Sequence, residues 1–246
     1  MKCVILAAGI SSRLHPLTAS TPKCLLQVGT YTILERTIRN ALRLNISEFV
    51  IGTGYHATMI VDFVRKKFPT LKVEFVYNDR FAETNNSYSL SLTESATRGS
   101  EVLLMDSDIV FDQRILSELL SSPYGNCLAV RTTGEFDKEE VGVTVNDERR
   151  ILRIGKEETQ GTVFGESIGI EKFSQGGAIR LFEILHRRIL QEGRIEELYE
   201  TSFQELVDAG IPTYAIDIKD FPCIEIDSPE DLDFARREIV PKLDKM

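Results

Sequence analysis

Apolar residues recur along the whole chain, in short runs that alternate with helical spacing. Residues 2–7 (Lys-Cys-Val-Ile-Leu-Ala) read as a buried strand that opens into a long polar loop, 8–22. Residues 31–44 set Ile33, Leu34, Ile38, Ala41 and Leu42 on one helical face, with Glu35, Arg36, Arg39 and Asn40 elsewhere. Phe49-Val50-Ile51-Gly52 is a second strand, 57–68 a helix stopped by Pro69, and Val73–Tyr77 an alternating strand. A polar loop, 78–86, precedes a helix over 87–97, and Glu101–Met105 is a buried strand running into Asp106-Ser107-Asp108. The first ~120 residues thus read β-α-β-α-β-α-β-α, an order that demands a mostly parallel sheet with helices on both faces. Beyond them, strands near 126–132, 141–145, 151–154 and 164–171 lack long intervening helices, so antiparallel additions are expected. Helices follow over 176–192 and 198–209. A late strand, Cys223–Ile226, leads to a final helix with Ser228 as N-cap, Pro229 at its first position and Asp231 completing a capping box.

Composition narrows the function classes. The 246 residues carry 29 Lys plus Arg against 38 Asp plus Glu, a formal charge of −9. An acidic chain without a basic block is a poor nucleic-acid binder, and no apolar run approaches the ~18 residues of a membrane span. The apolar run after Lys2 is too short for a signal peptide. Cys3, Cys24, Cys127 and Cys223 have no CxxC spacing, and His15, His56 and His186 are scattered, which argues against a zinc site. The expectation is a cytoplasmic chain with reduced thiols, organised as one domain, 1–246.

Open α/β sheets bind ligands beyond the carboxyl ends of their parallel strands, which directs attention to the loops there. After the first strand, Leu6, Ala7, Ala8 and Gly9 let a ligand approach the backbone closely, and Ser11 and Ser12 can form an anion nest. Arg13 and Lys23 add charge suited to phosphate oxygens. The stretch is neither GxGxxG nor GxxxxGK[ST], so hydride transfer and P-loop hydrolysis lose their main support. No Ser/His or Cys/His set suggests a protein nucleophile.

Residues 6–23, Leu-Ala-Ala-Gly…Arg…Pro-Leu-Thr…Pro-Lys, resemble the signature of sugar-phosphate nucleotidyltransferases. The resemblance implies a Rossmann-like α/β fold with a mixed, mainly parallel sheet, the nucleotidyl-diphospho-sugar transferase fold. It divides the chain into a nucleotide-binding half, 1–120, and an acceptor-binding half, 121–246. Asn85-Asn86-Ser87-Tyr88-Ser89-Leu90 resembles a segment of CTP:phosphocholine cytidylyltransferases and of the related aminoethylphosphonate cytidylyltransferases. Asn85, Asn86 and Ser89 would then serve the nucleotide, since an amide both donates and accepts; either Asn could instead cap the following helix.

By the same resemblance, Asp108 and Asp227 hold catalytic Mg²⁺. Asp106 joins the nucleotide site or supports it from behind, and Glu225, two residues from Asp227, would share its strand face. Lys156, after a short strand, resembles the lysine that neutralises the acceptor phosphate. Glu166, Tyr199 and Glu200 would line the acceptor pocket, whose cationic head, choline foremost, favours carboxylates and aromatic faces. The implied activity is transfer of CMP from CTP to a small phosphorylated or phosphonate acceptor, with Arg13, Lys23 and Lys156 as the catalytic cations. Uridylyl- or thymidylyltransfer to a sugar phosphate, an inositol-phosphate acceptor, and a non-catalytic nucleotide-binding homologue are the alternatives.

Overall fold

A computed structural model describes residues 1–133, 140–156 and 163–244. Strand β1 (Lys2–Ala7) is the axis of the molecule. Its alternation sends Cys3, Ile5 and Ala7 into one apolar cluster and Val4 and Leu6 into another, so the sheet has a core on each face. The hairpin strands β2 (Gln27–Val28) and β3 (Tyr31–Thr32) follow. Next come α1 (Ile33–Arg43), β4 (Glu48–Thr53), α2 (Ala57–Lys67) and β5 (Lys72–Tyr77). Thr32 caps α1, accepting the Glu35 N–H at 3.1 Å.

Helices α3 (Asn86–Ser91) and α4 (Glu94–Thr97) lead to β6 (Val102–Asp106), β7 (Ile109–Phe111) and α5 (Gln113–Ser121). The expected helix over 87–97 is thus two pieces. Ser91 and Thr93 turn their hydroxyls back onto the Tyr88 and Leu90 carbonyls at 2.7 Å, which competes with a continuous helical ladder.

The remaining strands are β8 (Cys127–Arg131), β9 (Gly142–Val145), β10 (Ile151–Gly155), β11 (Gly165–Phe173), β12 (Tyr214–Asp217) and β13 (Cys223–Glu225). The helices are α6 (Gln175–His186), α7 (Tyr199–Asp208), α8 (Pro229–Phe234) and α9 (Val240–Leu243). A nine-stranded sheet runs β10-β9-β11-β6-β1-β4-β5, with β8 on β11 and β12 on β8. Pairing is parallel from β6 through β5, and β11 enters antiparallel beside β6, as the element order implied. The helix expected over 176–192 is α-helical only to His186; the following turn, 187–191, is wider, and Arg187 and Arg188 both reach Glu205 of α7.

Two short strands matter most, β7, which periodicity does not show, and β13, the expected late strand. Strand β7, three residues long, pairs antiparallel with β13, setting Ile109 opposite Glu225. Strand β13 ends at Glu225, so Asp227 lies in the loop beyond it. The same-face argument for Glu225 and Asp227 is therefore replaced by a cap: Asp231 Oδ2 accepts the N–H groups of Asp227 (3.1 Å) and Ser228 (2.8 Å), while Ser228 Oγ accepts that of Asp231 (3.1 Å). A third apolar cluster, including Leu14, Leu26, Ile226, Leu232 and Ile239, binds the C-terminal helices beneath the loop that follows β1.

Ser228→Ala removes half of this cap. It should cost about 1 kcal/mol, read as a melting temperature lower by about 2–4 °C.

Candidate active site

The loop after β1, the loop after β5, the end of β6, α3 and the β13–α8 turn enclose a cavity of about 320 Å³. Its lining includes Leu6, Ala7, Ala8, Gly9, Ser11, Arg13, Lys23, Asn85, Asn86, Ser89, Asp106, Asp108 and Asp227. Positions up to 221 residues apart in sequence meet here because β1 and β6 are neighbours and the β7–β13 ribbon returns the chain end to them. Ser12, Lys156, Glu166, Tyr199 and Glu200 do not line this cavity. Phe81, Thr84 and Glu225 do. The polarity of 78–86 hid Phe81, whose ring is an apolar surface at the cavity wall. Glu225 was legible as an acid near Asp227, but its place beside Asp108 depends on β7.

Lys23 is the centre of the charge arrangement. It follows Pro22 in a single tight turn, is only 9% exposed, and places Nζ 2.9 Å from Asp108 Oδ2 and 2.8 Å from Asp227 Oδ1. Burial alone would lower the ammonium's pKa, but Asp108 and Asp227 outweigh it and hold the group above its ordinary range. Arg13, largely exposed, takes the other oxygen of Asp227 at 2.8 Å. Ligand oxygens of Asp108, Glu225 and Asp227 lie within 4.8 Å of one another, and Asp108 Oδ1 is buried with no hydrogen-bond partner. A compact all-oxygen set with an unsatisfied acceptor fits a hard divalent cation such as Mg²⁺. Burial, and then repulsion from Asp108 and Asp227, pushes Glu225 up to about 8.

Asp106 stands behind this group. Tyr199 donates its hydroxyl to Asp106 Oδ2 at 2.6 Å, and a Cβ on Gly169 (φ 71°) would lie 2.8 Å from that same oxygen. Burial, then the charge of Asp108, raises the Asp106 carboxyl well above its usual range. Tyr199 itself is 1% exposed and stacks on Phe203, with ring centroids 4.8 Å apart. Its ring presents no free face to a ligand; its place is to hold Asp106. Glu171, fully buried on β11, and Glu200 extend the acidic cluster; burial pushes Glu200 up to about 7, offset in part by nearby Lys156. Glu166 pairs with Arg131 at 2.5 Å.

The two asparagines have structural duties as well as cavity positions. Asn85 is the N-cap of α3, its Oδ1 accepting the Asn86 N–H at 2.8 Å, and its Nδ2 donates to the Glu196 carbonyl at 3.3 Å. Asn86 Oδ1 accepts the Tyr199 N–H at 2.8 Å and so fixes the start of α7. Ser89 Oγ accepts from Asn78 Nδ2 at 3.0 Å. Gly54 allows the 78–86 loop to close on the β1 loop: a Cβ there would sit 2.6 Å from Phe81 Cβ and 2.7 Å from the Ala8 carbonyl oxygen.

Residues 3–201 match the MobA-like NTP transferase domain. The chain belongs to that family. It is 33% identical over 136 residues to a choline-phosphate cytidylyltransferase of Streptococcus pneumoniae, an alignment covering 55% of this chain and 57% of the relative. The chain thus spans little more than half the length of that relative. A 2-aminoethylphosphonate cytidylyltransferase of Lancefieldella rimae is 25% identical over 197 residues, 80% of this chain and 76% of the relative. The fold matches the inositol-1-phosphate CTP transferase from T. maritima with a TM-score of 0.81 at 21% identity, covering 98% of this chain and 94% of the other. The expected nucleotidyltransferase fold, a mixed and mainly parallel sheet with helices, is the one this family has. Among the described residues no helix is long and apolar enough to cross a membrane.

With Glu225 near 8, the carboxyl is mostly protonated at pH 7, and a bound cation favours its ionised form. Mg²⁺ binding at pH 7 should therefore release up to about one proton, and apparent affinity should rise from pH 7 to 8. Calorimetry in buffers of different ionisation enthalpy reads the proton count, which Glu225→Gln should bring close to zero.

Proposed function

We propose that the chain is a Mg²⁺-dependent cytidylyltransferase that moves CMP from CTP to a small phosphorylated or phosphonate acceptor, releasing pyrophosphate. The observation that carries this reading is the buried Lys23 ammonium between Asp108 and Asp227, under a loop of small residues in a nucleotidyltransferase fold. An acceptor oxyanion attacks the α-phosphorus and the P–O bond to pyrophosphate breaks. The attacker is already ionised, so no general base is needed, in keeping with a cavity lined by cations and carboxylates rather than by a nucleophile and base.

Arg13 and Lys23 grip the triphosphate, and Ala7, Ala8, Gly9 and Ser11 give its backbone cradle. Asn85, Asn86 and Ser89 flank the base, and Phe81 offers it an apolar wall. Asp108 and Asp227, with Glu225, hold the cation, which when bound neutralises phosphate charge and supplies Lewis acidity. Asp106, held by the Tyr199 hydroxyl in the space that Gly169 leaves, orients this group from behind. Lys156 meets the acceptor phosphate from the second half of the chain. Glu166 and Glu200 belong to the acceptor side, where a bound cationic head would favour the ionised form of Glu200, and phosphocholine leads the candidates. The cysteines are unpaired, as suits the cytoplasm.

The buried Tyr199 ring changes the balance between acceptors. A quaternary ammonium relies on aromatic faces, whereas a primary amine can donate directly to carboxylates. Phosphoethanolamine and 2-aminoethylphosphonate therefore belong in every comparison with phosphocholine.

Pyrophosphate release should be measured for the four NTPs against these three acceptors and against glycerol phosphate, inositol-1-phosphate and sugar-1-phosphates. CTP should exceed UTP by at least about tenfold in kcat/KM, because a base site leaves buried donors unpaired with the wrong base. A neutral polyol phosphate preferred by about tenfold, equivalent to ~1.4 kcal/mol, overturns the cationic acceptor but not nucleotidyl transfer.

Asp108→Asn and Asp227→Asn should each lower kcat by about 100-fold or more, with thermal melting confirming a folded variant. Near-normal turnover at saturating Mg²⁺ removes that residue from the metal set.

A further inference from the structure

Arg131 is the last residue of β8, and Glu166, near the start of β11, is its partner across the sheet. Both β6 and β8 run antiparallel to β11, so Arg131 and Asp106 end their strands at the same edge. That edge carries the cavity. Partners across adjacent strands share a face, which brings the two side chains together. The pair is also within electrostatic reach of β13. Cys223, raised by burial to about 12, is pulled down by Arg131 and up by Glu166. Glu225, raised by burial and then by Asp108 and Asp227, feels the Glu166 charge as well.

The Arg131 guanidinium has more donors than its carboxylates use. Nη2 donates to Glu140 Oε1 at 2.9 Å. It also lies 2.5 Å from Glu166 Oε2, a contact too oblique for a hydrogen bond. Nε, which shares an edge of the guanidinium with Nη2, is buried and has no hydrogen-bond partner. A buried N–H left in this way is costly, and an ion pair without alignment recovers little of the cost. An oxyanion that takes over Nη2 has Nε beside it as a second donor, the side-by-side arrangement that suits phosphate oxygens.

We propose that the Arg131–Glu166 pair selects the acceptor: a zwitterion inserts between the two side chains, its phosphate or phosphonate on Arg131 and its ammonium on Glu166. The inference rests on the nucleotidyl-transfer reading and narrows its acceptor to a molecule that bears both charges. Phosphoethanolamine, 2-aminoethylphosphonate and phosphocholine all do. Such a molecule replaces each half of the ion pair with a group of the same sign, so no charge is left unanswered. A phosphate with a neutral head displaces Glu166 from Arg131 and offers that carboxylate nothing in return. Selection thus comes from the penalty on the wrong acceptor as much as from contacts to the right one.

The test is calorimetric titration of the full chain with phosphoethanolamine and, separately, glycerol phosphate, with Mg²⁺ and the α,β-methylene analogue of CTP present. Thermal melting checks the fold of each variant. Glu166→Gln should weaken phosphoethanolamine by about tenfold and tighten glycerol phosphate several-fold, because the competing carboxylate is gone. Arg131→Gln should weaken both by about tenfold or more, and Arg131→Lys should recover part of the loss. A Glu166→Gln chain in which both ligands move alike, or neither moves, overturns the proposal, and this comparison stands even where Arg131→Gln does not fold. So does a folded Arg131→Gln chain that binds both ligands as the parent does, or a parent that saturates with neither. Pyrophosphate release from CTP, measured alongside, separates the two readings. Transfer to phosphoethanolamine without the opposite shifts keeps nucleotidyl transfer and removes the pair from acceptor selection.

Discussion

A lysine ammonium held in a nearly dry position must have its charge answered, and the constraint organises the cavity around it. Asp108 ends the β6 turn, Asp227 precedes α8, and Lys23 follows Pro22; the three come from separate parts of the chain and none is well placed without the others. The price of bringing these charges out of water is recovered only if the geometry is held. The Asp231 cap, the β7–β13 ribbon and the apolar cluster under the loop are what hold it. Lys23 and Arg13 take three of the four oxygens of Asp108 and Asp227. Two cations and two carboxylates thus balance among these four groups.

Behind that first layer lies an unusual density of acids. Burial, and then the charges of neighbouring acids, raise the proton affinity of Asp106, Glu171 and the Tyr199 phenol, while the hydrogen bond from Tyr199 pulls Asp106 the other way. The tie within the cluster is the hydrogen bond that Tyr199 donates to Asp106. Raised proton affinity eases the repulsion that acids packed in a sheet interior would otherwise exert.

The parallel half of the fold was legible because its strands are continuous apolar runs between helices of clear period. The loop after β1 was legible for a different reason: small residues, an arginine and a Pro-Lys pair stand within 18 positions. What periodicity could not show were the two-residue strands β2 and β3 and the three-residue β7. Strand β7 carries no alternation to detect, yet it decides that Glu225 joins Asp108. Tyr199 illustrates the other gap. An aromatic near two glutamates reads equally well as a ligand cage or as core, and only packing on Phe203 and the hydrogen bond to Asp106 distinguish them. The amides of Asn85 and Asn86 needed no such choice, since the helix cap and the cavity wall are the same place.

The apolar cluster beneath the β1 loop joins Leu14 and Leu26 to Ile226, Leu232 and Ile239, more than 200 residues later in the chain. Synthesis proceeds from the amino end, so β1, β4 and β5 can pair while the ribosome still holds residues 223–243. During that interval Lys23 has no Asp227, and its loop has no floor. Completion of the cavity is thus a late event in biogenesis, and a ribosome stalled near residue 220 would carry a largely formed parallel sheet with an unfinished cavity.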